Sequence, residues 1–181
     1  MGPDEQAGLL ESVRSLDPDA WEHVYRRSYA SLLAYARRRL PVADDADDAV
    51  SEALARAVAT IERFEDRGLR LEAWLFGILR NVVLEHVRRG RRTAPLPDSH
   101  DVEAPEPGPL EGVLAAELTG SVRLAFARLR EDDQELLWLR LVAGLSAAEV
   151  SQVVGRREGA VRQGQSRALG RLRQLLEEVH P

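Results

Sequence analysis

Between Leu145 and Arg173 the sequence carries arginines and amides at intervals that suit contact with DNA. Arg162, Gln163, Ser166 and Arg167 are separated by one, three and four positions, so on a helix they share one outward side. Arginine can donate two parallel hydrogen bonds to guanine and glutamine can pair with adenine, each contact supplying about 1 to 3 kcal/mol of base discrimination. Arg156 and Arg157, just ahead of that helix, suit backbone phosphate. Arg171 and Arg173 fall beyond the expected groove contact. The alternative is a basic but inert helix surface; cap, turn glycine and charge together favour the reader.

Two short helices and a tight turn must position these side chains. Ser146 can cap a helix that starts at Ala147, Glu149 three residues on closes a capping box, and Gly155 supplies the left-handed backbone of the turn. In the second helix Val161, Ala168, Leu169, Leu172 and Leu176 form the expected inward stripe. That is the layout of a helix-turn-helix. Ahead of it, helices over 113–130 and 132–143 place Leu114, Leu118, Val122, Ala125, Phe126 and Leu129, then Leu136, Leu137, Leu139 and Leu141, toward a small four-helix core.

The first half of the chain holds three further amphipathic stretches. Asp17-Pro18 starts one whose apolar positions are Trp21, Val24, Tyr25, Ser28, Leu32, Leu33, Ala36 and Leu40. A second, over 45–64, carries Ala46, Ala49, Val50, Ala53, Leu54, Ala57, Val58 and Ile61. A third, over 71–89, carries Trp74, Leu75, Ile78, Leu79, Val82, Val83 and Val87. None can bury its stripe alone, so they should pack as an antiparallel bundle. No strand-like alternation occurs. The expected fold is all-α: a domain over 1–92, a linker over 93–112 and a helix-turn-helix domain over 113–181. The linker has five prolines and five acids and cannot form a core, so it is expected to be an extended, mobile tether.

Charge is segregated along the 181 residues, and this matters more than the net value of -5. Five arginines face one glutamate over 80–92, six face one over 156–173, and 97–117 holds six acids and no base. Every basic residue is arginine, which reads either as selection for bidentate phosphate contacts or as the codon bias of a GC-rich genome. With no cysteine, disulfides, cysteine-based zinc sites and thiol nucleophiles are excluded. His23, His86, His100 and His180 are scattered without metal-ligand or triad spacing, and Gly155 and Gly159 belong to a turn and a helix start, not to a phosphate loop. The expectation is a non-enzymatic protein without cofactor or metal. No stretch is apolar for long enough to cross a bilayer, and the acidic first residues do not resemble a secretory signal, so a cytoplasmic, soluble protein is expected.

Three segments, in order, carry a family pattern. The run Ala46-Asp47-Asp48-Ala49-Val50-Ser51-Glu52-Ala53-Leu54-Ala55-Arg56-Ala57 resembles A-E-D-L-V-Q-E-T-F-x-R-A. Trp74-Leu75-Phe76-Gly77-Ile78-Leu79-Arg80-Asn81 with Val87-Arg88-Arg89 is similar to W-L-x-x-I-A-R-N...R-R. Leu145-Ser146, Glu149-Val150, Gly155, Glu158-Gly159-Ala160-Val161-Arg162 and Arg167-Ala168 resemble L-S-x-x-E-I-A...L-G...x-G-T-V-K-S-R...R-A. Over nearly its whole length the chain thus resembles the extracytoplasmic-function (group IV) sigma factors of bacterial RNA polymerase. It departs from the pattern at Ser51 (for Gln), Val58 (for an aromatic), Ala160 (for Thr) and Gly164 (for a basic residue).

The resemblance implies a subunit that binds core RNA polymerase through the clamp coiled coil and flap of the large subunits and directs promoter-specific initiation. Asp47, Asp48, Glu52 and Arg56 would dock on the coiled coil; the alternative is an ordinary solvated helix face. Arg67, Arg70, Arg80, Asn81, Arg88 and Arg89, with Arg91 and Arg92, would hold the melted minus-10 strand. Trp74 reads better as a core aromatic, and Asn81 reads equally as a base contact or a solvated amide. The recognition helix would read the minus-35 element of promoter DNA. An anti-sigma protein is a further candidate partner. The acids Asp98, Asp101, Glu103, Glu106 and Glu111 either enter the polymerase cleft as a nucleic-acid mimic or serve as a solubilising spacer. Two rival readings stand beside this one: a free-standing helix-turn-helix regulator on an operator, and a protein-binding helical adaptor with no DNA affinity.

Overall fold

The computed structural model describes residues 3–65, 69–93 and 120–179, with the side chains at 3–5, 91–93 and 179 outside the description. Among the described residues every regular element is a helix. The chain divides between Glu106 and Pro107 into two compact units. The expected tether lies outside the described residues save for Thr93, which ends a helix, and so do Leu114 and Leu118.

The first unit contains α1 (Pro3–Arg14), α2 (Pro18–Arg37), α3 (Ala43–Thr60) and α4 (Leu71–Thr93), with a 3-10 turn, Ile61–Arg63, closing α3. Asp17 starts α2 by accepting from Asp19 N at 2.9 Å and Ala20 N at 3.4 Å, and Pro18 occupies the first turn, where its missing N–H is no loss. On α3, Ala46, Ala49, Ala53 and Ala57 are buried along one face. Small side chains at that spacing let neighbouring axes come close, and α3 packs against both α2 and α4. Leu32, Val50, Ile61, Leu75, Leu79, Val82 and Val83 fill the interior. Each large side chain there contributes about 1.5 to 3 kcal/mol by leaving water. Tyr35 meets Phe76 edge to face at 5.9 Å.

Three features of this unit differ from the sequence expectation. Tyr25 lies on the surface, 45% exposed, because the buried line of α2 runs through Val24, Ser28 and Leu32, and Tyr25 is one step off it. Its ring instead stacks on Tyr29 at 4.8 Å. Val58 is likewise exposed, beside buried Ala57. The third is α1, which shows little apolar periodicity beyond Leu9, Leu10 and Val13. Long-range contacts hold it: Leu10 and Val13 are buried, Arg14 donates to Phe64 O, Gln6 Nε2 donates to Leu69 O at 3.2 Å, and Trp21 Nε1 donates to Val13 O at 3.0 Å.

The second unit contains α5 (Gly120–Ala127), α6 (Glu131–Leu137), a π turn (Trp138–Val142), α7 (Ala147–Val154) and α8 (Glu158–Val179). Leu129, Leu137 and Ala168 form a core that Phe126, Leu172 and Leu175 cover. Leu141, expected inside, is 58% exposed, and Trp138 is buried instead. The wider π turn takes the residues within it, Leu141 among them, off the 3.6-residue phase that the expectation assumed. Leu169 is also corrected: it is 40% exposed because it lies one step off the stripe of α8, which runs from Ala168 to Leu172 and Leu175.

Candidate nucleic-acid interface

The helix-turn-helix is built by local bonds of the expected kind. Ser146 Oγ accepts from Glu149 N at 3.1 Å, and Glu149 Oε2 accepts from Ser146 N at 2.7 Å, a capping box at the start of α7. Gly155 ends α7 with φ 67° and ψ 32°, a conformation costly for any residue with a Cβ. Leu145, Val150, Val153 and Val161 are buried around the turn, fixing α8 across α7. Arg140, in the π turn, donates to Leu145 O and to Gln165 Oε1 at 2.8 Å, so one side chain ties the motif's entry to the middle of α8.

This scaffold leaves Arg162, Gln163, Ser166 and Arg167 all exposed on one side of α8, as expected. Arg156 and Arg157 are exposed at the turn ahead of it. Their partners differ. Arg156 donates to Asp132 Oδ2 at 2.6 Å, and that carboxylate is the main reason its pKa is raised. Arg162 pairs with Glu158 one turn back, and Arg171 pairs with the nearly buried Asp133. Arg157 and Arg167 make no ion pair among the described residues. Gly164 turns inward: a Cβ there would sit 2.8 Å from Leu136 Cδ2, so this position faces α6 and not the exposed side.

In the first unit three of the four residues expected to dock on a partner, Asp47, Glu52 and Arg56, already have partners within the unit. Arg56 donates to Glu52 at 2.5 Å and to both oxygens of Glu85 at 3.1 and 2.7 Å. His86 Nε2 lies 3.1 Å from the other Glu52 oxygen, and Arg89 is 3.5 Å from Glu85. The hydrogen bond with His86, followed by Arg56, holds the Glu52 carboxyl below its usual range; Arg56 does the same for Glu85. Asp47 accepts from Tyr29 Oη at 2.9 Å, which raises the Tyr29 pKa, and lies 3.4 Å from Arg37. Asp48 is exposed. On α4, Asn81, Arg88 and Arg89 are exposed and Arg80 is half-buried; Arg70, also half-buried, precedes the helix. Arg67 and the side chains of Arg91 and Arg92 lie outside the described residues. Trp74, expected as a core aromatic, is only half-buried, with its ring 5.1 Å from that of the buried Phe64.

Residues 24–93 match the family model for sigma-70 region 2, and residues 119–172 match that for sigma-70 region 4. The chain is 32% identical over 172 residues to the ECF RNA polymerase sigma factor ShbA of Streptomyces griseus, covering 90% of each. It belongs to the ECF RNA polymerase sigma factors. The sigma factor BldN of Streptomyces coelicolor is 34% identical over 176 residues, which span 94% of this chain and 65% of that protein. The structure of RpoE in complex with the anti-sigma factor NepR, from Bartonella quintana, superposes with a TM-score of 0.62 at 28% identity, covering 86% of this chain and 96% of that one. CnrH, solved with the cytosolic domain of CnrY, gives a TM-score of 0.67 over 96% and 97% of the two chains; at 24% identity the likeness concerns the fold.

Being a sigma factor, the chain directs transcription initiation by RNA polymerase, with a region 2 bundle and a region 4 helix-turn-helix. No helix among the described residues is long and apolar enough to cross a membrane. Sequence reasoning missed Glu85 and His86 as members of a cross-helix network. The spacing of Glu52 and Arg56 on α3, and of Glu85 and Arg89 on α4, at i and i+4, was the available signal. Asp132 and Asp133 were missed as partners of Arg156 in the turn and Arg171 on α8, since no periodicity links residues of different elements.

Proposed function

We propose that the sigma factor reads the minus-35 element through Arg162, Gln163, Ser166 and Arg167 of α8, with Arg156 and Arg157 on flanking phosphates. The single observation that carries this reading is the shared exposure of those four side chains on a helix held in place by a capping box and a left-handed glycine. In the first unit, Arg70, Arg80, Asn81, Arg88 and Arg89, with Arg67, take the unstacked minus-10 strand. Asp47, Asp48, Glu52 and Arg56 face the polymerase clamp coiled coil, and the second unit meets the flap. Because Asp47, Glu52 and Arg56 are paired within the unit, they present to polymerase a preset surface and not free charges. This division assigns 1–92 to polymerase and minus-10 contacts, 93–112 to a linker and 113–181 to the minus-35 contact, all in the cytoplasm and without catalysis by this chain. The Bartonella quintana relative was solved with an anti-sigma factor, and the same class of partner is expected here.

The test is reconstitution of the full chain with core RNA polymerase on a promoter library, reading which sequences are transcribed. A recovered pair of elements spaced as minus-35 and minus-10 supports the reading. Transcription that does not depend on the added chain overturns it.

A further inference from the structure

Two of the arginines on the reading surface carry a carboxylate partner, and two carry none among the described residues. Asp132, in the first turn of α6, reaches Arg156 from another helix, 24 positions away in sequence. Glu158 opens α8 and holds Arg162 one turn later. The Asp132 and Arg156 side chains are 59% and 52% exposed, and a pair so exposed contributes little to folding. Its consequences for DNA are larger. A carboxylate beside a guanidinium repels every phosphate within about 8 Å, the screening length at physiological salt. Yet an arginine has five N–H donors in a rigid fork, so one bond to Asp132 leaves others available to a phosphate that arrives in the right place.

We propose that Asp132 is a specificity-determining residue: it holds Arg156 in one pose and cancels its charge toward DNA that offers no phosphate matching that pose. The inference rests on the reading of α8 as the minus-35 reader. An unrestrained arginine sweeps a wide volume and finds a phosphate on any sequence, which favours promoter and bulk DNA alike. A restrained one meets phosphate only when the helix is seated in its cognate register. There its rotamer entropy has already been lost on folding, so the contact costs less on binding. Asp132 therefore suppresses non-specific binding more than specific binding and widens the ratio between them, the quantity that governs promoter search.

The experiment uses holoenzyme reconstituted with the full chain, native or carrying Asp132→Asn, which keeps the shape and removes the charge. Binding is measured across a salt series to a promoter recovered from the library and to the same fragment with its minus-35 sequence scrambled. Expected are a rise of about fivefold on the scrambled fragment, a smaller rise on the promoter, and a salt slope on scrambled DNA steeper by about one. Asp132→Glu restores the ratio. An unchanged ratio in Asp132→Asn overturns the proposal, as does a lost ratio that Asp132→Glu leaves lost. Arg167→Ala separates the two readings. If it leaves minus-35 preference intact, the assignment of α8 has failed; if it abolishes that preference while Asp132→Asn changes nothing, only the role of Asp132 has failed.

Discussion

At the scale of single residues the arginines of the helix-turn-helix divide by chemistry. Arg167, exposed and without an ion pair among the described residues, is placed for a base edge; Arg156, at the turn, is placed for phosphate. Arg167→Ala is therefore expected to weaken the use of particular minus-35 bases by about 1 to 3 kcal/mol. Arg156→Ala weakens the promoters on which the helix is seated without changing which minus-35 bases they prefer, and lowers the salt slope by about one, which transcription on a randomised minus-35 library across salt concentrations distinguishes. The network of Glu52, Arg56, Glu85 and His86 has a different signature. Both carboxyls titrate below their ordinary value of 4.5. The unfolded chain thus takes up protons first as pH falls, so the network's contribution is present at neutral pH and disappears in acid below that value. The groups are partly exposed, and the contribution is on the order of 1 kcal/mol or less. Glu85→Gln should lower the unfolding temperature of the first unit at neutral pH, by a margin that shrinks as the pH is taken down through the acid range below 4.5, as thermal melts over a pH series would show. These pairs were not legible in the sequence, because i and i+4 spacing marks partners on one helix but not which helix lies opposite.

At the scale of elements, Gly164 shows how a contact between helices overrides a local preference. Glycine inside a helix costs about 1 kcal/mol relative to alanine, so Gly164→Ala ought to stabilise α8. The structure reverses the sign: the added Cβ meets Leu136, a buried side chain, and overpacking of this kind costs about 1 to 3 kcal/mol. The single change is expected to lower stability by up to about 2 kcal/mol. In a Leu136→Ala background it should raise stability by about 1 kcal/mol, a double-mutant cycle readable from denaturant midpoints. A basic residue at 164, as in the family pattern, would have to displace Leu136 in the same way. Helix α1 makes the complementary point. Its short apolar run could not announce a helix, and contacts to Phe64, Leu69 and Trp21 hold it in place. Val13→Ala, which empties a fully buried position, should destabilise the first unit by about 1 to 3 kcal/mol by thermal or chemical unfolding.

At the scale of the whole molecule, each unit carries its own buried core. Residues 1–106 and 107–181 made as separate chains should each unfold cooperatively, and neither alone should direct transcription from a two-element promoter, because the second contact gains its strength from being on the same chain as the first. Circular dichroism melts and run-off transcription check both halves of that expectation. The local code of the chain was enough for the all-helical fold, the capping box at Ser146 and Glu149, the left-handed turn at Gly155 and the exposed set on α8, because caps, turns and 3.6-residue periodicity act between near neighbours along the chain. Tertiary structure alone decided that the π turn rotates Leu141 outward, that Tyr25, Val58 and Leu169 miss the core, that Gly164 admits Leu136, and that Asp132 and Glu85 hold arginines of other elements. Packing and charge pairing between helices depend on axis positions and phases that sum over many residues, and no short window of sequence contains that sum.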